Sequence, residues 1–183
     1  MKCDLVHDFQ DLIVIFRECF FERYNTLLVK GEDEPLYLPA NENQPHSCLI
    51  FAHGFFASAL HECSHWLIAG ENRRKLVDFG YWYNPDGRTA DEQQLFEKFE
   101  IKPQALEWIL SKAAGFSFRI SNDNLNGSES DTRVFKEAIL DQVKIYCQQG
   151  LSERAETFRR ALCGFYGRSL SLDGADFSLE SLG

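Results

Sequence analysis

Between residues 8 and 24, apolar side chains fall at Phe9, Leu12, Ile13, Phe16 and Phe20, the spacing of one face of a helix, with Asp4 or Asp8 placed to cap its start. Two short apolar stretches follow, Thr26–Val29 and Leu36–Leu38, separated by the acidic turn Gly31–Glu34. A third, Cys48–Ala52, comes after the polar loop Pro39–Pro45, and all three predict strands. From Phe55 to Ala69 the pattern is again helical, and Gly70 supplies a stop. Leu76–Tyr83 reads as a strand closed by Asn84-Pro85-Asp86-Gly87, residues suited to a type I turn. Asp91–Phe99 predicts a turn or two of helix. Pro103 suits the first turn of a separate helix running through Leu106, Ile109, Leu110 and Ala113 to Gly115. Phe116–Ile120 predicts another strand and the Asn-rich Ser121–Asp131 a loop. Thr132–Gln149 predicts a helix ended by Gly150, and Ser152 caps a last one reaching Leu162 or Tyr166. With no repeat and no long linker, the pattern predicts one domain over residues 1–167 and a flexible polar tail over 168–183.

Composition narrows the class. Hydrophobic residues make up 44% and charged residues 26% of 183, a globular balance, and the 16 Phe demand a large core or a ring-lined cleft. A net charge of −9 removes the long-range attraction behind non-specific nucleic-acid binding. No stretch approaches the roughly 18 unbroken apolar residues of a membrane-spanning helix. Asp4, His7 and Asp8 interrupt the first ten residues, unlike a secretory signal. Cys3, Cys19, Cys48, Cys63, Cys147 and Cys163 are scattered singly, which predicts reduced thiols in a cytoplasmic protein, most of them small core residues.

The chemistry lies in His61-Glu62-Cys63-Ser64-His65. Two histidines four apart on a helix stand one turn above another on one face, where both imidazoles can bind one divalent ion. Glu62 sits roughly 100° around the helix from His61, and in hydrolases with this motif that glutamate activates the metal-bound water. Cys63 turns away toward the core. Two histidines are too few for a tight site, so a third protein ligand is expected. Glu92, Glu97, Glu100 and Glu107 lie downstream. Glu100 is preferred because it precedes Lys102-Pro103, where the chain enters a new helix and a side chain can project from an element end. Glu97 is the alternative, and Glu92 and Glu107 read as solvated helix surface. His53, eight residues before His61, reads either as a group beside the metal or substrate or as a histidine held by backbone at a strand-to-helix junction.

Several blocks together resemble the elongation factor P hydroxylase family: Phe51-Ala52-His53-Gly54-Phe55 with Ser58-Ala59, the motif from His61 to Trp66, Val77 to Tyr83 with Pro85 to Arg88, and Lys102 to Leu106. The stretches Lys30-Gly31 to Leu38-Pro39 and Asp123-Asn124-Leu125 resemble it too, so the likeness reaches from near the start to about Tyr166. The resemblance implies a cytoplasmic enzyme that hydroxylates a β-lysylated lysine side chain of elongation factor P, using dioxygen. It implies an α+β, zincin-like single domain with the motif helix packed on a small mixed sheet, and Fe(II) bound by His61, His65 and Glu100. Two histidines and one carboxylate suit iron in oxygen chemistry and zinc in a peptidase alike, so ligand type alone leaves the reaction open. In the hydroxylase Glu62 would act beside the metal or deliver protons; in a zinc peptidase it would be the base. A non-catalytic protein docking on a translation factor is the third reading. A lysine extended by β-lysine is long and cationic, so carboxylates and rings after the motif helix, Asp78, Tyr81, Trp82, Tyr83 and Asp86, are candidate substrate contacts together with His53.

Overall fold

A computed structural model describes residues 6–80, 89–121 and 132–182. Cys3, the Asn84–Gly87 turn, the substrate candidates Tyr81, Trp82, Tyr83 and Asp86, and the Asn-rich segment with Asp123-Asn124-Leu125 lie outside the described residues. Among the described residues, five helices and one three-stranded mixed sheet make the fold α+β. Its contacts divide it into two compact units, residues 1–79 and 80–183.

The first unit opens with helix α1, Phe9–Tyr24, capped by Asp8, whose carboxylate accepts from the Gln10 amide at 2.9 Å. Asn25 ends it in the left-handed region. Strands β1 (Thr26–Lys30), β2 (Leu36–Leu38) and β3 (Ser47–Phe51) form a sheet in the order β1-β3-β2, with β1 parallel and β2 antiparallel to β3. Ser47, Leu49 and Phe51 are buried while Cys48 and Ile50 are half-exposed, the alternation of a strand that packs one face on helices. Helix α2, Phe56–Ile68, lies against β3 and α1. Its Trp66 is wholly buried among α1 rings, 5.1 Å from Phe16, 4.9 Å from Phe20 and 5.5 Å from Tyr24. The helix ends at Ala69 in extended backbone rather than through Gly70, and Arg74 donates to the Ala69 carbonyl at 2.7 Å.

The strand expected from Leu76 is not formed among the described residues. Arg73–Lys75 and Val77–Gly80 are short 3-10 turns instead. Asp78 and Phe79 take left-handed φ of 47° and 57°, followed by Gly80 at 72°. Apolar alternation cannot signal such a turn, because it is held by tertiary contacts: Phe79 stacks on Tyr37 at 4.4 Å and its carbonyl accepts from Arg73 at 3.0 Å.

The second unit is helical. The two helices expected either side of Pro103 are one, α3, Ala90–Ala114. Thr89 and Glu92 form a capping box at its start, and Gly115 stops it at φ 71°. Proline inside a helix forfeits a backbone bond. Here every position from Pro103 to Ser111 is buried, and that packing outweighs the loss. Helices α4 (Thr132–Gln149) and α5 (Glu153–Phe165, capped by Ser152) pack on α3. No strand forms at Phe116–Ile120. Phe118 instead stacks on Trp108 at 5.6 Å. Nor does the tail fray: 3-10 turns at Gly174–Asp176 and Leu179–Ser181 bury Phe177 and Leu182 in the cluster of Trp108, Ile109, Phe135 and Ile139.

Arg159 on α5 is buried and held by two 2.8 Å bonds to Glu156 and one of 3.0 Å to the Leu170 carbonyl. The Arg159 guanidinium, chiefly through those hydrogen bonds, keeps the Glu156 carboxyl below the usual range. A depressed folded-state value means stabilisation that is full above the unfolded carboxylate value and lost as pH falls through the folded one. Glu156→Gln should cost about 1–2 kcal/mol at pH 7, less than a fully buried pair because the carboxylate is a third exposed. Urea denaturation should show the gap between variant and wild type closing on acidification below the carboxylate range.

Candidate metal centre

Helix α2 sorts its residues by side. Ala59, Leu60, Cys63, Ser64, Trp66 and Leu67 are buried, whereas His61, Glu62 and His65 are only half-buried. Ser64 neutralises its own hydroxyl by donating to the Leu60 carbonyl at 2.8 Å. The Nε2 atoms of His61 and His65 stand 3.1 Å apart, with ring centroids at 4.8 Å and planes at 69°. Two nitrogens each about 2.1 Å from one ion and subtending close to a right angle would be separated by that distance. Cys63 is fully buried, and burial, then the charge of Glu62, pushes its thiol well above the ordinary value, so it is an inert core residue as expected.

In the second unit Glu100 lies in mid-helix, not at an element end, because α3 runs unbroken through Pro103. Its carboxylate is 1% exposed and accepts from Gln104 Nε2 at 3.4 Å. Gln104, itself wholly buried, also donates to the Ser121 carbonyl at 2.8 Å and accepts from the Ser121 amide at 3.2 Å. Those bonds fix its amide and so orient the carboxylate one helical turn away. Sequence reading gave Gln104 no role; its position four residues after Glu100 was the available signal. Glu97, the alternative ligand, is half-buried and accepts from Gln93 at 3.0 Å. Glu92 is exposed in its capping box. Glu107 is not solvated surface but 5% exposed, on the stretch of α3 that is buried all round.

His61 and His65 thus give the first unit a pair of imidazole donors, and Glu100 gives the second a buried carboxylate; both residue types are ligands of divalent metals. Of the described substrate candidates, His53 is exposed, at φ 56°, its ring 5.8 Å from that of Phe55. Asp78 is half-buried, and its Oδ1 accepts from the Tyr37 amide at 2.8 Å, tying the left-handed turn to β2.

The family model described as elongation factor P hydroxylase matches residues 15–177. A Haemophilus influenzae protein named elongation factor P lysine hydroxylase is 57% identical over 176 residues, covering 96% of this chain and 99% of that one.

Asp78 supplies both an acceptor for a strand-edge amide and a residue type that tolerates left-handed backbone. Asp78→Ala should lower stability by about 2 kcal/mol, and Asp78→Asn should recover most of the loss. Chemical denaturation of the two variants checks this; equal stabilities would return Asp78 to a role in substrate contact alone.

Proposed function

The chain belongs to the elongation factor P hydroxylase family, and on that premise we propose that it hydroxylates a lysine side chain of elongation factor P, the lysine bearing a β-lysyl extension. The observation that carries the reading is the 57% identity, end to end, with a protein named for that activity. The chain is accordingly an enzyme of the cytoplasm; among the described residues no helix is long and apolar enough to cross a membrane.

The metal we assign is Fe(II), held by His61, His65 and Glu100 in a zincin-like arrangement of the motif helix against the sheet. The donor set fits such an ion. Two imidazoles with Nε2 atoms 3.1 Å apart and one carboxylate give charge and hardness suited to a divalent first-row metal. A carboxylate as buried as Glu100 is costly without compensating charge, and a divalent cation supplies it. Ferrous iron so bound would supply activation of dioxygen, since three protein ligands leave coordination positions open.

The chain's own groups do the rest. Buried Trp66 and Cys63 hold the rotation of α2, and Gln104 holds the Glu100 carboxylate. Glu62, on the same half-exposed side as the histidines, holds or delivers a proton beside the reacting lysine. Tyr81, Tyr83 and Asp86 follow the Asp78 turn directly in sequence and carry rings and a carboxylate of the kind that bind a long cationic side chain.

Elongation factor P bearing β-lysine, incubated with enzyme, Fe(II), dioxygen and a reductant, should gain one oxygen atom by mass spectrometry; no gain overturns the reading. Glu100→Gln and His65→Ala should each lower metal affinity at least a hundredfold, read by metal titration. Glu62→Gln should keep the metal and measurable hydroxylation, whereas a zinc peptidase would lose nearly all activity with that change.

A further inference from the structure

Three features that ordinary local rules disfavour occur together just before α2. His53 takes φ 56°, a left-handed conformation uncommon for any residue but glycine. Gly54 follows at φ 71°, where an added Cβ would stand 3.1 Å from Lys30 Cε and 3.2 Å from Phe9 Cε1. Phe55 occupies the N-cap position without a side-chain hydrogen bond, where Ser, Thr, Asp or Asn would stabilise the helix, and it leaves a whole ring 63% exposed. The turn is nonetheless well fixed: the Ala52 amide donates to Ser58 Oγ at 3.1 Å, and the Gly31 amide to the Phe51 carbonyl at 2.8 Å. A fold that gives up a helix cap and accepts strain to present two rings outward is the pattern of a contact surface.

Position says what that surface serves. Phe55 stands at the N-cap of α2, seven residues before Glu62. Ser58, His61, Glu62 and His65 are all partly exposed, so an accessible stripe runs from the rings to the histidine pair. Charge says what would sit there. Strands β1 and β3 are parallel, with Lys30 opposite Phe51, so the turn after β1 lies beside the turn after β3. That turn carries Glu32, Asp33 and Glu34, all exposed; Lys30 pairs with Glu32 at 3.1 Å, and no ion pair among the described residues takes up Asp33 or Glu34.

We propose that Phe55 and His53, flanked by Asp33 and Glu34, dock a basic segment of the protein substrate next to its target lysine and set specificity for that protein. The inference rests on the hydroxylase reading. An apolar residue of the segment packs on the Phe55 ring and its cations face the acidic turn, so the lysine is delivered along the exposed side of α2 toward His61 and His65.

Binding of β-lysylated elongation factor P to the full-length enzyme, measured by calorimetry at low and at 0.3 M salt, tests this. Phe55→Ser and the double variant Asp33→Lys, Glu34→Lys should each weaken binding at least tenfold at low salt, with the difference for the charge variant shrinking at high salt. Metal affinity, measured on the same samples, should match the wild type, and the melting temperature should not fall, because these side chains are exposed and serine at position 55 can cap α2. Affinities within twofold of wild type for both variants would overturn the docking site while leaving the hydroxylase reading intact. Failure of the wild type to bind or hydroxylate elongation factor P would overturn both.

Discussion

Burial of one side of α2 dictates where its other side points. Trp66 fills a pocket among Phe16, Phe20 and Tyr24, and Leu60, Cys63 and Leu67 are wholly buried. Rotating the helix by even a quarter turn would expose the largest ring of the core and bury a charged Glu62. Hydrophobic burial of a Trp or Leu is worth about 2–3 kcal/mol each, so the buried side chains hold the angular position of His61, Glu62 and His65. The 3.1 Å spacing of the two Nε2 atoms then follows from helix pitch and side-chain direction.

The carboxylate is presented by a different device. A helix buried on all sides ordinarily excludes ionisable groups, yet α3 carries both Glu100 and Glu107 within its buried part. Gln104 makes Glu100 tolerable by offering an amide hydrogen, and its two bonds to Ser121 keep that amide from turning away. A neutral donor satisfies a lone pair but leaves the charge in place. Gln104 therefore orients the Glu100 carboxylate, which is what the ligand role proposed for it requires.

Much of this was legible in the residues, for reasons that can be named. α1 and α5 are amphipathic with capping residues at their starts, and amphipathic α4 is followed by Gly150 in the left-handed region, so period and punctuation agree about them. The motif helix was readable because His61 and His65 are themselves a helical repeat. Pro103 misled because proline reports a local backbone cost and says nothing about the burial that can exceed it. Phe116–Ile120 looked like a strand because aromatic residues favour strands; in the fold Phe118 is a ring for Trp108 to stack on, with no neighbouring strand to pair among the described residues. The polar tail hid two buried anchors, Phe177 and Leu182, among residues whose average is hydrophilic. Glu107 reads as surface in any single-residue scale, since only the packing around α3 makes it buried.

Leu76–Tyr83 shows most directly where sequence patterns end. Its alternation is real, but Asp78, Phe79 and Gly80 curl left-handed, held by the Tyr37 amide and ring from β2 and by the Arg73 guanidinium six residues before Phe79. His53 and Gly54 repeat the conformation at the entrance of α2. Left-handed non-glycine backbone costs roughly 1–2 kcal/mol per residue, so two such turns flanking one helix, before and after it, are unlike random drift of loops. The strain is borne by the first unit's packed sheet and rings. It falls on the two segments that lead into and out of the helix bearing the histidines. That distribution is what a catalytic scaffold requires: rigidity in the helix, and tightly determined backbone in the turns that bring other groups to it.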